Sequence, residues 1–226
     1  MNIAIIPARG GSKRIPHKNR KAFMGKPLIS YSIEVALNSK LFDKIYVSTD
    51  DEKIATIAKS YGANILERSK ELASDNATTG DVIADAISYL KNKNIKFDFI
   101  CTIYATAPLL HKKYLKEGYK RLKESNAFMA FSVTSMPFPI WRTFEITSEG
   151  RCAMFFPENY SKRSQDLKEA YQDAGQFYWQ RVDRESQDIA FGSDSIPVIL
   201  PRHLVQDIDT EEDWKRAELM YEVLNK

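Results

Sequence analysis

The chain has little cysteine and no long apolar run. Its two cysteines, Cys101 and Cys152, lie far apart with no metal-ligand spacing; two cysteines leave one disulfide open, but nothing demands it. No apolar stretch approaches the ~18 residues needed to span a membrane. The N-terminus opens on a strand-like run, not on a charged segment ahead of a long apolar core, so no export signal is read there. A cytoplasmic protein with no membrane partner is expected. The three histidines, His17, His111 and His203, share no ligand spacing. There is no G-x-x-x-x-G-K-[ST] loop and no G-x-G-x-x-G fingerprint, and no serine sits in a nucleophile elbow, which disfavours acyl transfer. Net charge is also scarce: 33 Lys and Arg stand against 30 Asp and Glu, leaving +3 over 226 residues. Basic character is therefore local, and the whole-chain balance does not support a nucleic-acid partner.

What is present is a basic loop directly after an apolar strand. Asn2 to Ile6 is a short apolar run that suits a buried parallel strand. Gly10-Gly11 follows, and glycine opens backbone conformations closed to residues with a Cβ; successive amides in such a turn form an anion-binding concavity. Around it stand Arg9, Lys13, Arg14, Lys18, Arg20 and Lys21, with no acid before Glu34. A run of this kind is, by itself, as readily a solvated face. Its place after an apolar strand, where open α/β sheets bind ligands, and the loop-shaping Gly-Gly and Pro16 favour a polyphosphate site. The loop also lacks the interleaved aromatics of a single-strand nucleic-acid site.

Further along, Pro27 to Asn38 reads as a helix with Ile29, Ile33 and Leu37 on one stripe and Pro27 at its first position. Lys44 to Thr49 reads as a strand, and the acids from Asp50 open a helix that ends near Gly62. Asn64 to Leu66 is a third strand. This β-α-β-α-β order implies a parallel sheet. A polar loop over 67–80 leads to a helix from about Asp81 to Lys91, capped by Thr79 or a neighbour. Phe97 to Tyr104 is a central strand, Lys113 to Glu124 a helix, and Ala127 to Thr134 another strand. From Met136 the character changes to prolines, aromatics and weak periodicity. Residues 136–195 are expected to form an inserted arm within a single domain spanning 1–226, with short strands at Phe177 to Trp179 and Val198 to Leu200 separated by a helix-like segment. Thr210 caps a terminal helix from Glu211 to Leu224, with Asp213 at capping-box reach.

Asp207 and Asp209, two apart on an extended backbone, point to one side and can hold a hard divalent cation, with phosphate oxygens completing its shell. Asp-x-Asp before a helix is also ordinary cap chemistry, so the pairing with a polyphosphate loop is what gives it weight. Asp173 to Tyr178 sets a flexible glycine beside polar and aromatic groups, compatible with carbohydrate contacts or with a plain turn. Arg163 has a planar fork suited to a carboxylate, or is a surface arginine.

The segments IPARGGSKRIPHKN, VSTDD, SDNATTGD, TAP and QDIDT together resemble the cytidylyltransferases that activate acidic nine-carbon sugars, the CMP-N-acetylneuraminate synthetase family. The likeness covers essentially the whole chain. It implies a Rossmann-like nucleotide-diphospho-sugar transferase fold, α/β, with a mostly parallel central sheet flanked by helices and an inserted sugar-binding and dimerisation arm, in a homodimer. It implies CTP and an acidic nine-carbon sugar as substrates, a CMP-sugar for surface or flagellin glycans as product, and Mg2+ or Mn2+ as cofactor. By the same resemblance, Ala8, Arg9, Gly10, Gly11, Ser12 and Lys13 lie in the nucleotide loop, Lys18 is its essential lysine, and Asn19 and Thr79 (or Thr78) contact the nucleoside. Asp207 and Asp209 match the metal-binding acids, which with Arg9 and Lys18 form the catalytic set. Tyr104, Arg163, Gln176 and Tyr178 fall where the sugar acid is met. Sialic-acid enzymes commonly carry a glutamine at the position of Tyr104, and tyrosine cannot reproduce an amide's paired donor and acceptor. That departure, with segments such as AYQDAGQFYW and PRHLVQDIDT, makes pseudaminic acid the preferred sugar, ahead of N-acetylneuraminate, legionaminate or an eight-carbon ulosonate.

Overall fold

β1 (Asn2–Pro7) is apolar on both faces because both faces are covered. The computed structural model, which describes residues 1–69, 71–74 and 76–225, sets this strand between two parallel neighbours. The chain continues through a small hairpin, β2 (Ala22–Phe23) and β3 (Lys26–Pro27), into α1 (Leu28–Ser39), then β4 (Lys44–Thr49), α2 (Glu52–Ser60) and β5 (Asn64–Glu67). Next come α3 (Thr79–Asn92), β6 (Phe99–Ile103), α4 (Lys112–Lys123) and β7 (Met129–Ser135). An excursion carries the hairpin β8 (Phe144–Ile146) and β9 (Cys152–Met154), after which β10 (Tyr171–Arg181), β11 (Ser195–Leu200) and α5 (Glu211–Leu224) close the chain. The seven-stranded sheet has the order β11-β7-β10-β6-β1-β4-β5. β10 alone runs antiparallel to its neighbours; every other pairing in that sheet is parallel. The expected mostly parallel α/β sheet is therefore present.

Side-chain alternation along β1 divides the core. Ile3 and Ile5 pack with Ile83, Ala86 and Leu90 of α3 on one face. Ala4 and Ile6 pack with Ile29 and Ile33 of α1, Ile54 and Ala58 of α2, and Leu115 and Leu122 of α4 on the other. At the heart of that second layer Trp179 is fully buried. Its ring stacks on Phe42 at 5.0 Å, and its Nε1 donates to the Leu115 carbonyl at 3.1 Å. Gly118 lets α4 approach it, since a Cβ there would stand 2.9 Å from Phe177 and 3.1 Å from Trp179. Trp179→Ala should destabilise the protein by about 3–5 kcal/mol, read as a lower urea midpoint; an unchanged midpoint contradicts this packing account.

Several expectations are revised. Pro27 is the residue before α1, with extended backbone, not its first turn, and Leu37 of the proposed stripe is 43% exposed. Tyr171–Arg181 is a full strand inside the main sheet, so the part of 136–195 that leaves the sheet before it is 136–170. Between β10 and β11 the described backbone bends and turns, with no helix. No helix among the described residues is long and apolar enough to cross a membrane.

A satellite cluster positions the site. Phe23 is fully buried, with Tyr31, Trp214 and Tyr221 edge-on to it at 5.4, 5.4 and 5.7 Å. Ile15 from the basic loop and Ile208 from the Asp-x-Asp segment join the same cluster. Lys21 adds an ion pair to Glu211 at 2.9 Å. This clamp fastens the start of α5, and with it Asp207 and Asp209, to the loop after β1.

Candidate active site

The loop after β1 leaves the sheet only beyond Ala8, which is buried and whose N–H donates to the Ser48 carbonyl at 2.9 Å. The Gly10 N–H then donates to Asp50 Oδ1 at 2.9 Å. Neither Gly10 nor Gly11 takes a left-handed φ; His17, at φ 58°, does. Glycine is required at position 10 by close approach, since a Cβ there would stand 2.9 Å from the Asp51 Cβ. The expected turn chemistry is thus replaced by packing against the acids that follow β4.

Beyond these residues the loop lines a cleft of about 380 Å3. Arg9, Ser12, Lys13, Arg14, Lys18 and Asn19 form one wall, and Asp207 and Asp209 face it. Ala8, Gly10 and Gly11, expected in the nucleotide loop, do not line it. Asn19 is buried and its Nδ2 donates to the Arg9 carbonyl at 3.0 Å, so it holds the loop as well as bordering the cleft. Arg9 reaches the Ser74 carbonyl at 3.4 Å. The absence of acids before Glu34 suggested an unneutralised loop, and the fold corrects this from the other end of the chain. Arg14 pairs with Asp209 at 2.9 Å, and Lys18 Nζ lies 3.2 Å from the same carboxylate while also donating to the Ile208 carbonyl.

The N-terminus of α3 forms another side. Thr78, not Thr79, is the cap: its Oγ1 accepts from the Asp81 N–H at 3.2 Å and donates to the Asp81 carboxylate at 2.7 Å. Its hydroxyl is occupied by this capping box. Thr79, the first helical residue, also lines the cleft, and its Oγ1 lies 3.5 Å from the Tyr104 hydroxyl. A helix N-terminus aimed at the cleft adds partial positive charge.

Tyr104, just beyond β6, separates the cleft from a second cavity of about 570 Å3 that also reaches Asp207 and Asp209. Tyr178 borders this cavity, with its ring 5.3 Å from that of Tyr104. Burial, then Tyr104 and Asp173, push the Tyr178 phenol well above its ordinary pKa, so it stays a donor. The other two residues expected to meet the sugar lie elsewhere. Gln176 is 2% exposed; its Nε2 donates to the Leu204 carbonyl, and it lines neither cavity. Arg163 sits in the excursion, paired with Asp166 at 2.8 Å, and also lines neither.

A basic wall, a helix N-terminus and two carboxylates around one cleft suit a nucleoside triphosphate. Residues 3–187 match the family described as Cytidylyltransferase. The chain belongs to that family. It is accordingly a CTP-using nucleotidyltransferase. A pseudaminic acid cytidylyltransferase of Campylobacter jejuni subsp. jejuni serotype O:2 is 45% identical over 98% of this chain and 97% of its own. An N-acylneuraminate cytidylyltransferase A of Danio rerio is 33% identical over 95% of this chain and 49% of its own. In structure, a CMP:2-keto-3-deoxy-manno-octonic acid synthetase solved with CTP aligns with a TM-score of 0.71 over 99% of both chains, at 15% identity, which is a likeness of fold.

One lining residue of this cytidylyltransferase escaped the sequence reading. Arg68, just past β5, is 7% exposed and reaches the cleft. Its Nη2 donates to the Ser48 carbonyl at 2.9 Å and its Nε to the Ser48 hydroxyl at 3.3 Å. Burial lowers its pKa, and Asp50 works against that. Nothing around position 68 signals this, because the partners that bury it come from the end of β4.

The acids fit a hard divalent cation in donor type. Among the described residues no group of three or more His, Cys, Asp or Glu could hold a metal, so the chain offers two carboxylates and phosphate oxygens would supply the rest. Burial, then Asp209, raise the Asp207 carboxyl above the usual carboxylate range, and Asp207 forms no ion pair among the described residues. Asp207 is exposed, yet its carboxyl is partly desolvated and stands beside another acid with only Lys18 working against the shift, an environment a cation relieves.

Proposed function

We propose that this cytidylyltransferase joins CTP to a nonulosonic acid, pseudaminic acid by preference, giving the CMP-sugar and pyrophosphate. The observation that carries the reading is the pair of cavities meeting at Tyr104, Asp207 and Asp209. One has the basic wall a triphosphate needs, and the other is large enough for a sugar acid. The 45% identical relative named for pseudaminic acid supports the sugar, as does the tyrosine at position 104.

In the reaction the anomeric hydroxyl of the sugar attacks the α-phosphorus of CTP in line. Its oxygen forms the new P–O bond as the bond to pyrophosphate breaks with its electron pair leaving on pyrophosphate, and the hydroxyl proton passes to solvent water. Arg9, Lys13 and Lys18 stabilise charge on the phosphoryl group and on the departing pyrophosphate. Asn19 and Thr79 orient the nucleoside, with Thr79 favoured over Thr78 because the latter's hydroxyl is spent on its cap. Asp207 and Asp209 would hold Mg2+ or Mn2+, which supplies Lewis-acid polarisation of the phosphate. Catalysis of this kind is largely positioning and electrostatics.

The excursion supports a homodimer. It exposes Phe138 (79%), Ile146 (75%) and Tyr160 (73%), large apolar groups that a second copy would cover. Arg163 then belongs to the set that acts only across that interface. A cytoplasmic site of action fits the CTP requirement.

Pyrophosphate release with CTP and Mg2+ tests the reading. Release should be at least tenfold faster with pseudaminic acid than with N-acetylneuraminic acid, the size of discrimination that a few polar contacts allow. A preference for N-acetylneuraminic acid would keep the chemistry and remove the substrate. No release with any nonulosonic acid would remove both.

A further inference from the structure

In the segment expected to meet the sugar, the charged group presented to the cavity is Asp173. Its carboxylate borders the 570 Å3 cavity and also an adjoining cavity of about 490 Å3 beside Ile83, Met129 and Phe191. The strand is shaped to place it there. The register of β10 on β7 breaks between Asp173 and Tyr178, and Gly175 takes φ +60° within that break. The carboxylate is then held from both sides. The Tyr178 hydroxyl donates to Oδ2 at 2.6 Å, and the Gly175 N–H donates to Oδ1 at 2.9 Å. An ionised carboxylate has about four acceptor positions. Two are used, no ion pair among the described residues engages Asp173, and the remaining capacity faces the cavities.

We propose that Asp173 is a specificity-determining residue that accepts a hydrogen bond from a donor on the sugar acid, an amide N–H or a hydroxyl. The proposal rests on the cytidylyl-transfer reading above. Charge sets the sugar's orientation. The wall of the larger cavity carries Asp173, Asp207, Asp209 and Asp213 against Arg216 alone, so an acidic sugar turns its own carboxylate away from Asp173 and its neutral donors toward it. A fixed acceptor also rejects sugars that lack the matching donor, because the carboxylate would lose water and gain no partner.

The test compares native enzyme with Asp173→Asn and Asp173→Ala under saturating Mg2+, measuring KM for CTP and for the sugar acid separately, with thermal midpoints as the check on folding. Losing a hydrogen bond to a charged acceptor should raise the sugar KM about tenfold or more, while KM for CTP stays within about twofold. The margin between pseudaminic and N-acetylneuraminic acid should narrow with it. Analogues with each acylamido group replaced in turn by hydrogen, which removes the donor, separate the two donors. If the Asp173 effect disappears with one analogue, the donor is that amide; if it persists with all, the donor is a hydroxyl. An unchanged sugar KM overturns the proposal, and so does a parallel rise in both KM values, which marks a structural disturbance. If Asp173→Ala fails to fold, Asp173→Asn, which keeps shape and one acceptor oxygen, decides. If native enzyme prefers another sugar acid, the substrate reading falls on its own, and the same comparison made with that acid judges Asp173.

Discussion

Lys18→Ala should lower turnover by at least about two orders of magnitude, the effect of deleting one preorganised charged donor from a transition state that develops anionic charge, while the protein remains folded. Lys18 is held in place before any substrate arrives. Its Nζ donates to the Ile208 carbonyl and lies 3.2 Å from Asp209 Oδ1, with the side chain 17% exposed. The ammonium therefore sits between the acidic pair and the cleft that the loop lines, ready to meet phosphate oxygens without reorganising. Its contribution to stability is modest by comparison, because Asp209 keeps Arg14 at 2.9 Å and the aromatic cluster around Phe23 holds the two segments together. Lys18→Met keeps the aliphatic stem in place and should fold like the native chain with the same loss of turnover. Lys18→Arg should recover little, since a planar fork does not replace a compact ammonium in this tight setting. Near-native pyrophosphate release by a folded Lys18→Ala protein would take Lys18 out of the chemistry.

The parts of this architecture that depend on near neighbours were legible in the chain. Lys44–Thr49 is a strand over the expected residues, because an apolar, β-branched run ends at acids that cap the next helix. Thr210 and Asp213 form the expected reciprocal cap, since both groups lie within one turn. The parts that depend on distant partners were not. The acid that neutralises Lys18 lies 191 residues further along, so the basic loop looked bare. Gly10 reads as a turn glycine, yet its reason is the side chain of Asp51, the cap of α2 just beyond the neighbouring strand. In β10 only Phe177 to Trp179 looks like a strand. The polar residues Gln172, Asp173 and Gln180 belong to it as well, because β7 pairs with all three and β6 also pairs with Gln180. The burial of Gln176 and the position of Asp173 at the cavity have the same origin. Position 176 points into the core, and the break in register leaves position 173 at the cavity. Sequence order identifies such a segment, but pleat and register decide which side chain meets the ligand.

Asp207→Asn should separate cation binding from loop positioning. Asp207 and Asp209 stand two residues apart, yet the chain treats them differently. Asp209 is shared between Arg14 and Lys18 at 2.9 and 3.2 Å. Asp207 has no such partner among the described residues, and desolvation of its carboxyl together with Asp209 raises it from its ordinary value, with Lys18 working against this. Its charge is thus held at a cost in the unliganded protein, which is how a site kept for an incoming cation differs from a structural ion pair. The amide isostere removes that cost, so the thermal midpoint of Asp207→Asn should equal or exceed the native value. Turnover should nevertheless fall by about two orders of magnitude or more, with the Mg2+ needed for half-activation rising about tenfold, if, as proposed, Asp207 and Asp209 are the carboxylates that hold the cation. Asp209→Asn should behave otherwise. It takes the carboxylate from the Lys18 ammonium as well as from the cation, so it should lower the thermal midpoint while also raising the Mg2+ needed for half-activation. Titrating Mg2+ into all three proteins distinguishes these outcomes. Native half-activation in Asp207→Asn would assign the cation elsewhere and leave the Asp-x-Asp segment with only its role in holding the basic loop.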